Sequence, residues 1–212
     1  MITINMNRHE GTQGVELVEC ANRRKQTYIV RADIQPKETE ESPNGVTFIQ
    51  HQFDHKPTMA EIKEFVIGVV DAQTDNTIVS GLVWTPQAGG DPINVWLSRE
   101  NQINFKAAYD LAVQKDGVTL PVTFKMGETG DGTPVYHTFE TMEDAEDFYL
   151  HAVAFIQQTL AAGWQKKDSI DWTPYEQALT PKTEEAEAPK KTTTRKRSTK
   201  TTTTTTTSEK SE

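Results

Sequence analysis

The chain has 212 residues, enough for one ordinary domain or two small ones, and a body of that size buries a genuine core without covalent staples. Its net charge of −9 is uneven: residues 181–212 hold eight Lys/Arg against five Asp/Glu, net +3, while residues 1–180 hold fourteen against twenty-six, net −12. An acidic body repels phosphate backbones, which argues against non-specific nucleic-acid binding by the folded part, and the single cysteine, Cys20, excludes an intrachain disulfide.

In chain order, Met1–Gly11 lacks a basic-then-apolar pattern, so no signal peptide is expected. No apolar run approaches the roughly 20 residues needed to span a bilayer, and a cytoplasmic setting is expected. Residues 1–57 read as a small β-rich region. Thr27–Ile34 alternates apolar and polar residues and is rich in β-branched types; Gly45–Phe53 resumes the pattern. The polar stretch 37–44 between them ends in Ser42-Pro43-Asn44-Gly45, which is turn chemistry, so a long-looped hairpin is expected.

Residues 58–180 form the second region. Thr58 and Glu61 make a capping-box pattern, followed by Ile62, Phe65, Val66, Val69 and Val70 on one helical face, with an expected stop near Asp75-Asn76. Ile78–Trp84 and Ile93–Leu97 read as strands around a Pro/Gly loop, Thr85–Pro92. Ser98 caps a second helix that Gly117 stops. Thr119–Met126 and Pro134–Phe139 flank the glycine-rich Gly127–Thr133, a hairpin signal. Thr141 and Asp144 open a third helix, with Gly163 as its expected end. The expected fold is α+β: a β-rich N-terminal region, then helix–hairpin–helix–hairpin–helix. Residues 181–212, almost wholly Thr, Lys, Glu and Ser, cannot bury enough surface to offset chain entropy and are expected to be a disordered tail.

Candidate chemistry is sparse. His51 and His55 are the best metal-like pair, on one side of a strand if both lie within it, but no further ligands complete a set. Cys20 sits in no nucleophile context, and no nucleophile elbow appears. Gly127–Thr133 lacks the Lys-Ser/Thr of a P-loop and the spacing of a dinucleotide fingerprint, so a turn explains it better. Glu140, Glu143, Asp144, Glu146 and Asp147 read as a solvated acidic face that complements the third helix dipole. Neither catalytic residues nor a metal or other cofactor are expected. Of the four tryptophans, Trp96 is expected in the core of a strand. Trp164 and Trp172, with Tyr175, lie beyond the regular elements and are the expected partner-binding anchors. Lys190, Lys191, Arg195, Lys196, Arg197 and Lys200 form the one basic cluster able to meet a polyanion, although a merely solubilising tail is the simpler explanation.

Val95-Trp96-Leu97-Ser98, Glu100-Asn101-Gln102, Lys106–Asp110, Leu120-Pro121-Val122, Tyr136–Glu140 and Gly163-Trp164 carry a resemblance. Over residues 57–172 the chain resembles uncharacterised proteins of tailed bacteriophages and prophages, especially from gut Bacteroidales. More remotely it is similar to the domain of unknown function found in some phage tail fibre assembly proteins. That resemblance implies a context, a phage structural or assembly module, and not a mechanism; with no nucleophile, metal set or phosphate loop in the residues, the expectation is a non-enzymatic protein of tail fibre or virion assembly that binds another phage structural protein, in the bacterial host cytoplasm or the virion, with no membrane partner. A structural virion component with a flexible basic tail is the second expectation, and an enzyme with a cryptic site the third. No catalytic residue is carried over from it.

Overall fold

Thr58, Ser98 and Thr141 start the three long helices, each accepting a hydrogen bond from the backbone N–H three residues on. The computed structural model describes residues 2–180 except 38, 40, 41 and 88. The elements are β1 Arg8–Thr12, β2 Val18–Asn22, β3 Thr27–Pro36, β4 Gly45–Phe53, α1 Met59–Ser80, β5 Leu82–Trp84, β6 Ile93–Val95, α2 Arg99–Gln114, β7 Val122–Glu128, β8 Pro134–Phe139, α3 Met142–Asp168 and α4 Thr173–Leu179. The architecture is α+β, with the expected order from α1 to α3. The whole tail reading, including the basic cluster Lys190–Lys200, lies outside the described residues, as do parts of the two loops.

The N-terminal sheet is antiparallel, in the order β1-β4-β3-β2. β3 and β4 pair as expected. β1 and β2 are short and mostly polar on their exposed sides, so no periodicity announces them. One face of this sheet gives Val18, Val30, Ala32, Ile49 and Phe53 to a core completed by Ile62, Phe65, Val66 and Val69 of α1 and Tyr175 of α4. Arg31 is buried beside that core. Its guanidinium donates to the Glu16 carbonyl at 2.8 Å and to Glu19 at 2.6 Å, and lies 5.1 Å from the Phe48 ring centroid. These contacts offset much of the cost of burying a charge.

A second core holds Ile78, Leu82, Trp84, Val95, Leu97, Phe105, Met126, Phe139 and Phe148, joining α1 to the two hairpins, α2 and α3. α1 serves both cores because it is longer than the polar run Gln73–Thr77 suggests. Thr74, Thr77 and Ser80 return their hydroxyl protons to carbonyls four residues back, at 2.9 Å each. Ile78 is thereby a helical core residue, and the expected strand from residue 78 shrinks to Leu82–Trp84. Gly117 does close the second helix: at φ +79° it donates to the Ala112 carbonyl at 2.9 Å. Gly163 does not end the third. It lies buried inside α3 where α1 crosses; a Cβ there would stand 2.5 Å from Thr74 Oγ1.

Charged contacts clamp the same crossing. Asp33 sits at φ +51° beside the irregular pairing between Ala32 and Gln35. Its carboxylate accepts from Arg8 at 2.6 Å, Gln73 at 2.5 Å, Gln35 at 3.0 Å and Lys166 at 3.3 Å. Burial raises the Asp33 carboxyl, but these donors, Arg8 foremost, outweigh it and hold it below its ordinary value.

The α1 cap carries a pH signature. Glu61 accepts from the Thr58 backbone N–H at 2.8 Å and hydroxyl at 2.7 Å, and meets His55 Nε2 at 2.9 Å. The Thr58 contacts, with His55 after them, lower Glu61 from 4.5 to about 2. A carboxylate depressed on folding stabilises above its unfolded value and loses that contribution as pH falls through the folded one. The stability gap between wild type and Glu61→Gln, measured by urea unfolding, should therefore narrow as pH drops from 4.5 towards about 2. A gap constant across that window would remove the cap from the acid response.

Candidate partner-binding surface

Residue parity in the hairpins creates the surface. In β5 and β6, Leu82, Trp84 and Val95 point into the second core, and alternation sends Val83 and Asn94 outward. Leu97 is buried as well, so Trp96 between Val95 and Leu97 faces out. The two hairpins lie side by side: the Trp96 N–H donates to the Met126 carbonyl at 2.7 Å. Gly127 permits this approach, because a Cβ there would lie 2.4 Å from the Asn94 carbonyl oxygen. In β7 and β8, Phe124 pairs with His137 on the inner side, while Lys125 pairs with Tyr136 and Thr123 with Thr138 on the outer. The Lys125 ammonium stands 5.3 Å over the Trp96 ring and binds Glu128 at 2.6 Å.

The outer face therefore presents Val83 at 59%, Trp96 at 37% and Tyr136 at 63% exposure, with Lys125 linking the two rings. Among the described residues β8 pairs with β7 alone, leaving its other side as a sheet edge. Tyr and Trp combine large contact area with a polar handle, the composition of binding hot spots, and an unpaired edge can accept an added strand.

The expected anchors are dispersed instead. Tyr175 is a core residue: buried at 6% exposure, it donates its hydroxyl to the Arg31 carbonyl at 2.9 Å, and burial pushes its pKa up to about 12. Trp172 is half-buried over the same core, 6.0 Å from Tyr175, with Lys63 Nζ 5.4 Å from its ring centroid. Trp172 stands at the N-cap of α4 and Tyr175 lies within it, a short helix not anticipated from the sequence. Trp164 alone is exposed, on the outside of α3. Trp96, expected in the core, lies outward instead, and Trp84 is the buried one, at 2% exposure. The readable signal was parity, since Val95 and Leu97 cannot both be inside with Trp96.

The remaining candidates are accounted for locally. β4 ends at Phe53, so His51 and His55 do not share a strand: His51 packs 4.8 Å from Phe53 and 5.6 Å from Phe65, while His55 joins the α1 cap through Asp54 and Glu61. Burial lowers the His51 pKa; hydrogen bonds that His55 makes to its acidic neighbours, Asp54 first, raise that of His55. Among the described residues no group of three or more His, Cys, Asp or Glu is arranged to hold a metal. Cys20 is half-buried in β2. Thr129 and Thr133 close the glycine-rich turn by a 2.9 Å backbone hydrogen bond, with Gly132 at φ +83°. Two members of the acidic cluster are not solvated. Asp144 meets His137 at 2.7 Å, and Asp147 accepts from Trp84 Nε1 at 2.9 Å and Gln87 at 2.6 Å. Among the described residues no helix is long and apolar enough to cross a membrane.

A family model, described as Domain of unknown function (DUF4376), matches residues 61–188, more than half of the chain, from the first turn of α1 through α4. No curated protein and no solved structure matches it.

Proposed function

We propose the following for a chain that belongs to the DUF4376 family: it is a non-enzymatic bacteriophage protein of tail fibre or virion assembly, acting by binding another phage structural protein in the host cytoplasm. The resemblance of residues 57–172 to tailed-phage and prophage proteins of Bacteroidales type supports the phage context. The outward face bearing Val83, Trp96 and Tyr136, beside the open edge of β8, is the observation that carries the binding role. A partner strand added along β8 would lie next to Tyr136 and satisfy the edge through its own backbone. Contact with nucleic acid, in this reading, belongs to the basic cluster from Lys190 to Lys200.

Quantitative mass spectrometry of purified particles beside the infected-cell lysate tests the role. An assembly factor is abundant in the lysate, absent from particles and co-purifies with a fibre protein. A fixed copy number in particles would instead make it a virion component. The surface is tested by Tyr136→Ser with Trp96→Ser, both at exposed positions. Truncating a hot-spot aromatic costs about 2 kcal/mol or more, roughly thirtyfold in affinity. Fibre-protein binding should fall by at least that factor with the unfolding midpoint unchanged; unaltered binding would place the interface elsewhere.

A further inference from the structure

The second surface is polar and independent of the hairpin face. Between α1 and α3, against the end of β3, lies an open groove of about 650 Å³. Its polar lining includes Gln35, Gln73, Asn76, Gln158, Thr159 and Lys166. Two features show that the lining is held in place. Asp33, in a left-handed conformation that ordinary residues avoid, receives Gln73 and Gln35 and fixes their amides. Lys166, half-exposed, reaches across from α3 and donates to Gln73 Oε1 at 2.6 Å. Asn76, Gln158 and Thr159, by contrast, have no side-chain hydrogen bond among the described residues, so their donors and acceptors face the groove unspent.

We propose that this groove binds a segment of a neutral oligosaccharide. Amides and hydroxyls each donate and accept, as sugar hydroxyls do, and several of them converge here. The charges near the lining are engaged: Asp33 accepts from both Arg8 and Lys166, Arg8 is itself spent on Asp33 and Thr47, and Lys166 donates to Gln73 as well. Among the described residues the one cation in the lining, Lys166, is thus already held, and the lining has no carboxylate for an amine. Phe155, half-buried in the lining, offers apolar surface for the C–H face of a sugar ring. The wide mouth suits a chain-like ligand that lies along the groove with one side in water. A peptide strand is the weaker fit, because both walls are helices and neither supplies a free backbone edge.

The full chain should be applied to a printed array carrying neutral oligosaccharides, acidic oligosaccharides and Thr/Asn-rich peptides. Retention by neutral oligosaccharides is expected, followed by a saturable calorimetric titration with the best of them. Asn76→Ala combined with Gln158→Ala, both exposed on helix surfaces, should weaken that titration at least tenfold and leave the unfolding midpoint in place. Amide chemical-shift changes in wild type on adding the same oligosaccharide should centre on Gln73, Asn76 and Thr159. Retention by acidic oligosaccharides or peptides alone, no retention at all, or binding indifferent to the double variant would each overturn the assignment.

Discussion

Replacing Trp84 by Ala is expected to remove a large part of the stability of the α1–α3 region. The side chain is 2% exposed and sits at the junction of β5, β8 and α3. Its ring centroid lies 4.9 Å from His137, 5.1 Å from Phe148 and 5.9 Å from Phe139. Losing a buried Trp to Ala costs about 3–5 kcal/mol in transfer and cavity energy, against a total of roughly 5–15 kcal/mol for a native domain. The polar handle adds a separable contribution. Trp84→Phe keeps most of the apolar volume but withdraws the Nε1 proton from Asp147, whose side chain is 10% exposed. A nearly buried carboxylate deprived of a donor costs about 1–3 kcal/mol, so Trp84→Phe should be the milder variant. Burial raises the Asp147 carboxyl, but the Trp84 and Gln87 hydrogen bonds and the nearby His151 outweigh it and leave it below its ordinary value. Its contribution is therefore present above the ordinary carboxylate pKa and lost as pH falls through the folded value. The Trp84→Phe penalty should shrink in acid; that of Trp84→Ala, mostly cavity, should persist. Urea unfolding followed by far-ultraviolet circular dichroism measures all three. A Trp84→Ala protein within about 1 kcal/mol of wild type, well short of the roughly 3 kcal/mol at the low end for a buried Trp, would mean that Trp84 is not central to this core.

The parts of the fold visible in the sequence are those written in local chemistry. Thr58, Ser98 and Thr141 cap helices because a short hydroxyl can reach an N–H three residues on, a signal four residues long. The pairing of β3 with β4 followed from period-two alternation bounded by a turn. What escaped depended on distant partners. The run Gln73–Thr77 has the composition of a helix end, yet Ile78 is drawn into a core built by Leu82, Phe148 and their neighbours, and the hydroxyls of Thr74 and Thr77 fold back on their own helix to allow it. β1 is legible only through β4, beside which it lies. For the candidate surface, composition pointed to Trp164, Trp172 and Tyr175 because they follow regular elements. Residue parity, imposed by the backbone, puts Trp96 and Tyr136 on the outer face, which placing Trp96 in the core overlooked. Tyr175 shows the converse: an aromatic in a terminal segment is as able to plug a core as to meet a partner.

Gly163 marks the position where the smallest chemical change is expected to have a large effect. In most helices Gly→Ala is favourable by about 0.8–1.0 kcal/mol, because alanine restricts the unfolded chain and suits the helix. Here the added methyl would lie 2.5 Å from Thr74 Oγ1 and 3.0 Å from Thr74 Cγ2. Thr74 cannot swing clear cheaply, since it is short, β-branched and hydrogen-bonded to the Val70 carbonyl at 2.9 Å. α1 and α3 must then move apart, and overpacking of this kind costs about 1–3 kcal/mol. The contacts that flank the crossing, Lys167 to Asp71 at 2.8 Å and Lys166 to Gln73 at 2.6 Å, would be stretched with it. Gly163→Ala should therefore destabilise in spite of its helix propensity, and Gly163→Val should do so more. Thr74→Ala removes both clashing atoms and leaves only the Cβ, at 3.3 Å. Gly163→Ala combined with Thr74→Ala should regain wild-type stability or exceed it, because each alanine then contributes its propensity without the clash. The signature is a coupling free energy between the two positions of at least about 1 kcal/mol, well beyond the few tenths seen for independent sites. Additive changes, or a Gly163→Ala protein more stable than wild type, would show that the crossing tolerates a methyl and that the glycine serves another purpose. Since Gly163, Thr74 and Lys166 also line the polar groove, the single variant should weaken oligosaccharide binding and the double variant restore it, so that one pair of residues tests both the crossing and the groove built upon it.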